Sequence, residues 1–158
     1  RHPQVAGSTV VHEPLVGHHA SHLQDQFAVA ARSAQTSDSA AVEVVRRVLG
    51  PSTWERIGPA ARAGVAAQAG RARLEVPVFA AFDPTKEELA GLRGLPLLTT
   101  IGALSGPDRW SAAEVLRAQA GADVVVLPGC GNAAQVDAPV ALADAVRGWQ
   151  PATTRCGG

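Results

Sequence analysis

Three short apolar runs divide the chain. They are residues 8–12 (STVVH), 95–101 (LPLLTTI) and 123–127 (DVVVL). Each is rich in β-branched residues and does not alternate apolar with polar positions, which is typical of strands covered on both faces of a parallel sheet. Each is followed by a turn signal, at Glu13-Pro14, Gly102 and Pro128-Gly129. The pattern therefore predicts three parallel strands joined by crossovers.

Helical periodicity fills the intervals after the second and third runs. Ser111 and Glu114 have the spacing of a capping box, which predicts a helix that begins there. Residues 137–149 carry apolar positions at helical spacing, with Asp137 as the expected N-cap and Pro139 in the first turn. The expected order at this end is strand, helix, strand, helix.

Residues 17–93 have a different pattern, with helical periodicity interrupted by polar residues and turn signals. We expect four or five helices here, broken at Gly50-Pro51, Gly58-Pro59 and Asp83-Pro84. Capping-box spacing recurs at Ser52 with Glu55 and at Thr85 with Glu88. A helical insertion of this size between two parallel strands is far longer than a usual crossover, and long insertions tend to be functional.

The pattern as a whole predicts an α/β fold with a partial, doubly wound, three-stranded parallel sheet. Residues 1–16 and 94–150 form the incomplete core, residues 17–93 form the helical insertion, and residues 151–158 are a tail. The chain begins with Arg1 and its 158 residues contain no Met, which indicates a segment of a longer protein.

Composition narrows the class of protein. Hydrophobic residues make up 46% of the chain and charged residues 18%, which is typical of a globular domain. The formal net charge is zero and no basic block occurs, so a nucleic-acid partner is not expected. Neither a membrane-spanning apolar run nor a signal peptide is evident. Cys130 and Cys156 do not form a disulfide framework, and the expected location is the cytoplasm.

Four histidines lie close together near the start, at positions 12, 18, 19 and 22. His18 and His22 would share one face of a helix and could bind a metal if Glu13 or Asp25 joined them. The alternative is a set of polar side chains on a helix surface, and we expect no metal and no cofactor. Cys130, in a Gly-rich turn, is expected to be a small buried thiol, because a Cys nucleophile needs a nearby base.

Three stretches together resemble the C-terminal part of an α/β-hydrolase. RHPQVAGSTVVHEPL (residues 1–15) is similar to the segment that follows the nucleophile-bearing helix. LPLLTTIGALS (95–105) resembles the strand that leads to the usual acid position, and VVVLPGCGNAAQVDAP (124–139) resembles the final strand and the loop of the catalytic His. The resemblance covers about residues 1–150 and implies that residues 17–93 are the lid.

The resemblance also identifies what this chain lacks. The G-x-S-x-G nucleophile elbow does not occur, and GALSG at 102–106 has Ser105 one place too late. Asn132 stands at the family's His position and cannot act as a base, because its amide does not titrate near neutral pH. It is either a turn-forming residue or a hydrogen-bonding group in a ligand site.

Glu13 is the candidate for the triad acid, since some family members carry their acid after this earlier strand. Its alternative role is to close the strand end by binding main-chain amides before Pro14. The usual acid position is occupied by Ser105, and Asp108 would reach it only after a loop rearrangement.

These observations predict a fragment or degenerate member of a Ser hydrolase that acts on esters, lactones or related acyl groups. The chain is expected to be inactive alone. The alternatives are half of an active hydrolase completed by another chain, a non-catalytic module that binds a small apolar ligand, or a structural protein. Expected partners are an apolar acyl-type molecule and, for the unpaired edge of strand 8–12, the missing N-terminal half, a second copy or a partner chain.

Overall fold

A computed structural model of the chain describes residues 7–14 and 21–150, with the side chains of residues 21–27, 79 and 80 left out. The described residues belong to two compact units. One unit contains residues 7–14 and 84–150 and is of mixed α/β type. The other contains residues 21–83 and is helical.

The α/β unit is built on a three-stranded parallel sheet in the order β1, β2, β3. These strands are Thr9–His12, Leu97–Gly102 and Asp123–Leu127. The register pairs His12 with Thr100 and Thr100 with Val125. The prediction of three parallel strands at these places is confirmed. The central strand β2 is buried along its whole length, as its lack of charged residues and of apolar–polar alternation indicates.

Helices cover both faces of this sheet. On one face Leu97 packs with Leu89, Leu116 and Ala120, and Val11 contacts the same cluster. On the other face Leu127 packs with Ala134, and Leu142 and Ala145 lie against them. The helices of this unit are α6 (Lys86–Ala90), α7 (Pro107–Val115), α8 (Ala134–Asp137) and α9 (Pro139–Gly148), and a π-helical turn, Leu116–Ala120, extends α7.

The helical unit packs through small side chains. Its core contains Ala34, Ala41, Val44 and Ala69, on helices α1, α2 and α5. Its five described helices are α1 (Ser21–Thr36), α2 (Asp38–Leu49), α3 (Pro51–Arg56), α4 (Pro59–Ala67) and α5 (Ala69–Ala81). The expected breaks at Gly50-Pro51, Gly58-Pro59 and Asp83-Pro84 all fall between helices. No helix in the described residues is long and apolar enough to cross a membrane.

Two expected helix starts in the α/β unit are wrong. Ser111 lies inside α7, which begins at Pro107 after Gly106. Asp137 ends α8 and does not cap α9, whose N-cap is Ala138. In both cases a proline stands at the start of the helix, where its fixed φ favours the first turn and its missing N–H costs no hydrogen bond.

Of the other two capping boxes, one is confirmed and one is wrong. Thr85 caps α6, and both reciprocal bonds with Glu88 are present. Ser52, by contrast, lies within α3, which begins at Pro51 without a side-chain cap.

Candidate functional site

Glu13 follows β1 directly and lies at the carboxyl edge of the sheet, where ligands of parallel α/β folds bind. Its side chain is only 1% exposed. Its main chain has a φ of 49°, and within the described residues it is the one non-glycine residue with a positive φ. Such a conformation costs on the order of 1–3 kcal/mol and persists where the surroundings impose it. Backbone strain of this kind clusters at functional sites.

One carboxylate oxygen of Glu13 ties the ends of β1 and β2 together. Oε1 accepts a hydrogen bond from the Gly102 N–H at 2.8 Å and another from the Ser105 hydroxyl. The Glu13 N–H also donates to the carbonyl oxygen of Thr100 at 3.0 Å. These bonds match the alternative role of Glu13 as a residue that closes the strand end. They do not exclude a role as an acid, because Oε2 accepts no hydrogen bond.

Arg109, in the first turns of α7, approaches Glu13 from the side of Oε2. Its Nε lies 3.6 Å from Oε2, and its Nη1 donates to the main-chain oxygen of Glu13 at 2.9 Å. Burial lowers the pKa of Arg109 from its ordinary value, while the charge of Glu13 acts in the opposite sense. A buried ion pair therefore occupies the carboxyl edge.

The loop after β3 lies against the loop after β2. Ala103 N–H donates to the Leu127 carbonyl at 2.8 Å, and Leu104 N–H donates to that of Cys130 at 2.9 Å. At Gly102 there is no room for a side chain, since a Cβ would lie 2.4 Å from the Cys130 carbonyl oxygen. A Cβ on Gly131 would lie 3.9 Å from the Ser105 hydroxyl. The loop that carries Asn132 thus reaches the hydroxyl that binds Glu13.

Asn132 is partly buried in the turn before α8. The left-handed conformation of this loop is at Gly129, with a φ of 71°. Its neighbour Gly131 and the acid candidate Glu13 both contact or approach Ser105. The two residues predicted from the sequence as site residues therefore belong to loops that meet at the same edge of the sheet.

The structure also describes the surroundings of Cys130 and His12, two other side chains considered in the sequence. Cys130 is fully buried, its Sγ lies 3.6 Å from the Leu127 carbonyl oxygen, and burial raises the pKa of its thiol. That environment suits an inert thiol and not a nucleophile. His12 Nδ1 lies 2.9 Å from the Thr100 hydroxyl, and its Nε2 is buried without a hydrogen bond.

The histidine cluster largely falls outside the described residues. His18 and His19 are in residues 15–20, and the side chain of His22 in α1 is not described, so the proposed metal pair stays a prediction. Among the residues that the structure describes, no group of three or more His, Cys, Asp or Glu side chains could hold a metal ion.

The helical unit carries a shallow groove of about 400 Å³ between α1 and α5. Gln35, Gly70, Arg73 and Leu74 line it. Arg73 binds the carbonyl oxygen of Gln35 at 3.1 Å and the carboxylate of Asp38 at 3.3 Å. Leu74 is exposed, so the groove combines one apolar side chain with a fixed guanidinium.

Comparison with known proteins gives no family for this chain. No family model matches it, and a search of the curated proteins found no match. The functional interpretation therefore rests on the geometry of the carboxyl edge and on the resemblance of the three motifs.

Sequence reasoning missed Arg109. The available signal was topological, because Arg109 follows Gly106-Pro107, the helix start after β2, and such starts lie at the carboxyl edge. Sequence reasoning also treated Ser105 only as a misplaced elbow serine and as the residue at the usual acid position. In the structure the Ser105 hydroxyl donates a hydrogen bond to Glu13, the candidate acid after β1.

Proposed function

We propose that this chain is an α/β-hydrolase-like segment, a fragment or degenerate member, which carries an acid site and no complete catalytic apparatus. Glu13 is the acid of that site, and residues 17–93 are the lid. The reaction class of the complete site is hydrolysis of a small apolar ester, lactone or related acyl compound. The chain by itself does not catalyse this reaction.

The burial and orientation of Glu13 carry this proposal. A triad acid must be held in one orientation and must keep an oxygen for the base that it orients. Glu13 meets the first condition through Gly102, Ser105 and Arg109, and it meets the second through Oε2, which accepts no hydrogen bond. The loop of Asn132, at the position of the family's base, approaches the same cluster.

Four features argue against turnover by these residues alone. The chain has no G-x-S-x-G elbow, and Asn132 cannot accept and return a proton. Ser105 donates to a carboxylate that is also bound by the Gly102 amide and faced by the Arg109 guanidinium, and not to an imidazole base. Cys130 is buried with a raised pKa. A nucleophile and a base would have to come from elsewhere.

The free edge of β1 offers a place for such a partner. Within the described residues β1 pairs only with β2. Thr9 and Glu13 direct their N–H groups toward β2, so the alternate residues Val10 and His12 direct theirs to the opposite edge. Val10 is 39% exposed. An unpaired edge with an exposed apolar side chain favours association with another strand.

An esterase assay with and without a restored base tests the inactivity of the chain. We expect no hydrolysis of short p-nitrophenyl esters above the buffer rate by the purified chain, and no gain in Asn132→His. A base without an activated Ser has no proton to take, and triad members act as a unit. Turnover that a Ser-directed covalent reagent abolishes would contradict the proposal, and Ser105→Ala would then identify the nucleophile.

Sedimentation at micromolar concentration tests the edge of β1. We expect the chain to associate with itself or with an added partner segment, and Val10→Lys to reduce association by placing a charge on the edge. Val140→Lys is the matched control, because Val140 is 71% exposed and lies on α9 and not on the edge of β1. A stable monomer that neither variant changes would count against the half-sheet interpretation.

A non-catalytic role in binding a small apolar ligand is the second candidate. The groove beside Leu74 has a volume within the ~300–1,000 Å³ of small-molecule sites. Stabilisation of the helical unit by an apolar ligand, lost in Leu74→Ser and without turnover, would favour this candidate. Absence of binding would leave the acid site as the basis of function.

A further inference from the structure

Glu13 has both of its peptide bonds fixed from outside its own strand. On the N-terminal side its N–H donates to Thr100 of β2, and on the C-terminal side its carbonyl oxygen accepts from Arg109 Nη1. The next residue is Pro14, and a residue before proline favours extended backbone over other conformations. The left-handed φ of 49° at Glu13 therefore needs external support.

We propose that Arg109 is the positioning residue of the Glu13 site. By binding the Glu13 carbonyl oxygen it holds the left-handed main chain, and this conformation turns the carboxylate toward Gly102 and Ser105. The same guanidinium faces Oε2 through Nε and holds the carboxylate in place. The interpretation of Glu13 as an acid that is presented to a base rests on the proposed function, whereas the contacts of Arg109 do not.

The chemistry of arginine suits both contacts. Its guanidinium is planar and offers N–H groups in two fixed directions, so one side chain can serve a main-chain oxygen and a carboxylate together. A lysine would supply the positive charge but would not offer N–H groups in two fixed directions. Arg109 is also well placed to act, because its side chain is 15% exposed and lies in the first turns of a helix that packs on β2.

The electrostatic surroundings of Glu13 come from three elements. Arg109 faces it from α7, and the charge of Asp108 acts on Arg109. Cys130, in the loop after β3, lies within range of its charge. His12 is its neighbour at the end of β1 and is bound to Thr100. Among these, Arg109 is the cation in ion-pair contact with the carboxylate.

The Gly102 amide is a direct reporter of this arrangement. Its N–H donates to Glu13 Oε1, so its NMR chemical shift reports the position of the carboxylate. Glu13→Gln must move this signal, because a neutral amide oxygen replaces the carboxylate, and the move assigns the signal to the contact with Glu13.

Two variants separate the positive charge of Arg109 from the fixed directions of its N–H groups. Arg109→Gln removes both, whereas Arg109→Lys keeps the charge. In Arg109→Gln we expect the Gly102 amide signal to move, because the ion pair with the carboxylate and the contact on the Glu13 carbonyl oxygen are both lost. In Arg109→Lys we expect a smaller move of the same signal, because the positive charge is kept and the fixed contact on the carbonyl oxygen is lost. Arg117→Gln is the control, since Arg117 forms an exposed pair with Glu114.

The outcomes decide between positioning and simple packing. If Arg109 only packs, both variants lower the melting temperature but leave the chemical shift of the Gly102 amide unchanged, and the proposal is overturned. If Arg109→Gln does not fold, the chemical shift of Gly102 in Arg109→Lys decides alone. These readouts need no catalysis, so a failure of the esterase or association experiments does not affect them.

Discussion

The two units of this protein place their charges in different surroundings. In the α/β unit, Glu13 and Arg109 pair with side chains that are 1% and 15% exposed. In the helical unit, Glu43 pairs with Arg46 and Arg47, and Arg71 pairs with Glu75, on helix surfaces in solvent. The first pair joins a strand end to a helix 96 residues further along the chain. The others link neighbouring turns of a single helix.

This difference determines what each pair can do. An exposed pair between adjacent turns is screened by water and salt and contributes little to stability. A buried pair need not stabilise the fold more than apolar residues would, but it tolerates no loss of one partner, since the other charge remains buried. Such a pair fixes the geometry of a site, and the Glu13–Arg109 pair lies at the edge where a site is expected.

The largest contrast is expected from removing one acid in each unit. Glu13→Ala should destabilise the α/β unit by about 3–5 kcal/mol, because Arg109 is left as an uncompensated buried charge. Glu13→Gln should cost less, since its side-chain oxygen can still accept from Gly102 and Ser105. Glu43→Ala should produce no measurable change in the helical unit.

Amide hydrogen exchange measures each unit separately, through the amides of Leu98–Ile101 for β2 and those of α2 for Glu43. The comparison fails if Glu13→Ala costs the α/β unit no more than Glu43→Ala costs the helical unit. In that case the Glu13–Arg109 contact would be incidental to the fold.

The strands were predictable because their apolar runs leave little choice. Leu97, Leu98 and Ile101 are almost fully buried. Successive residues of a strand point to opposite faces, so an apolar run of this kind requires both faces of the sheet to be covered. Helix starts were less predictable. Ser52, Thr85 and Ser111 share one capping signature, yet only Thr85 caps a helix. At the other two, a Gly-Pro pair upstream had already started the helix.

Only some residues of the candidate site could be predicted from the sequence. Glu13 and Asn132 could be found because each follows a strand, and the ends of parallel strands share an edge. The sequence offered only the position of a helix start for Arg109. Its contacts with Glu13 and the role of Ser105 could not be found, since they depend on how the loop 103–106 folds back onto Glu13. The path of this loop is set by main-chain hydrogen bonds from Ala103 and Leu104 to the end of β3 and the loop after it. No side-chain pattern encodes these bonds.

A smaller contrast is expected from adding one methyl group in each unit. Gly102→Ala would place a Cβ within 2.4 Å of the main-chain oxygen of Cys130, and backbone cannot move aside cheaply. We expect a loss of roughly 1–3 kcal/mol, as for other overpacked sites. Gly64→Ala, on an exposed face of α4 with nothing within 4 Å, should gain about 0.5–1 kcal/mol.

Urea denaturation followed through amide signals of each unit tests both glycine variants. A neutral Gly102→Ala would show that the loops after β2 and β3 can separate. The close approach of Asn132's loop to Ser105 would then not be a fixed feature of the site.

The smallest effect concerns the exposed acid itself. Hydrogen bonds from Arg46, and then from Arg47, lower the pKa of Glu43 from 4.5 to about 2. A lowered pKa in the folded state stabilises the fold above the unfolded pKa, and this contribution is lost as the pH falls from about 4.5 through about 2. Because Glu43 lies in solvent, the resulting change in stability should be too small to detect, while its titration remains measurable.

The titration of Glu43 by side-chain carboxyl NMR tests whether its partners are ordered as the geometry indicates. Arg46 donates from Nε and Nη2 at 2.7 and 2.8 Å, whereas Arg47 donates from Nε alone at 3.1 Å. Arg46→Gln should therefore raise the pKa of Glu43 further than Arg47→Gln does. In 1 M salt, where screening acts over roughly 3 Å, the pKa of Glu43 should also rise in the unaltered chain. Equal effects of the two substitutions, or no response to salt, would contradict this expectation. Either result would mean that Arg46, Arg47 and Glu43 are held more rigidly than exposed ion pairs should be. The contrast with the buried pair of Glu13 and Arg109 would then be smaller.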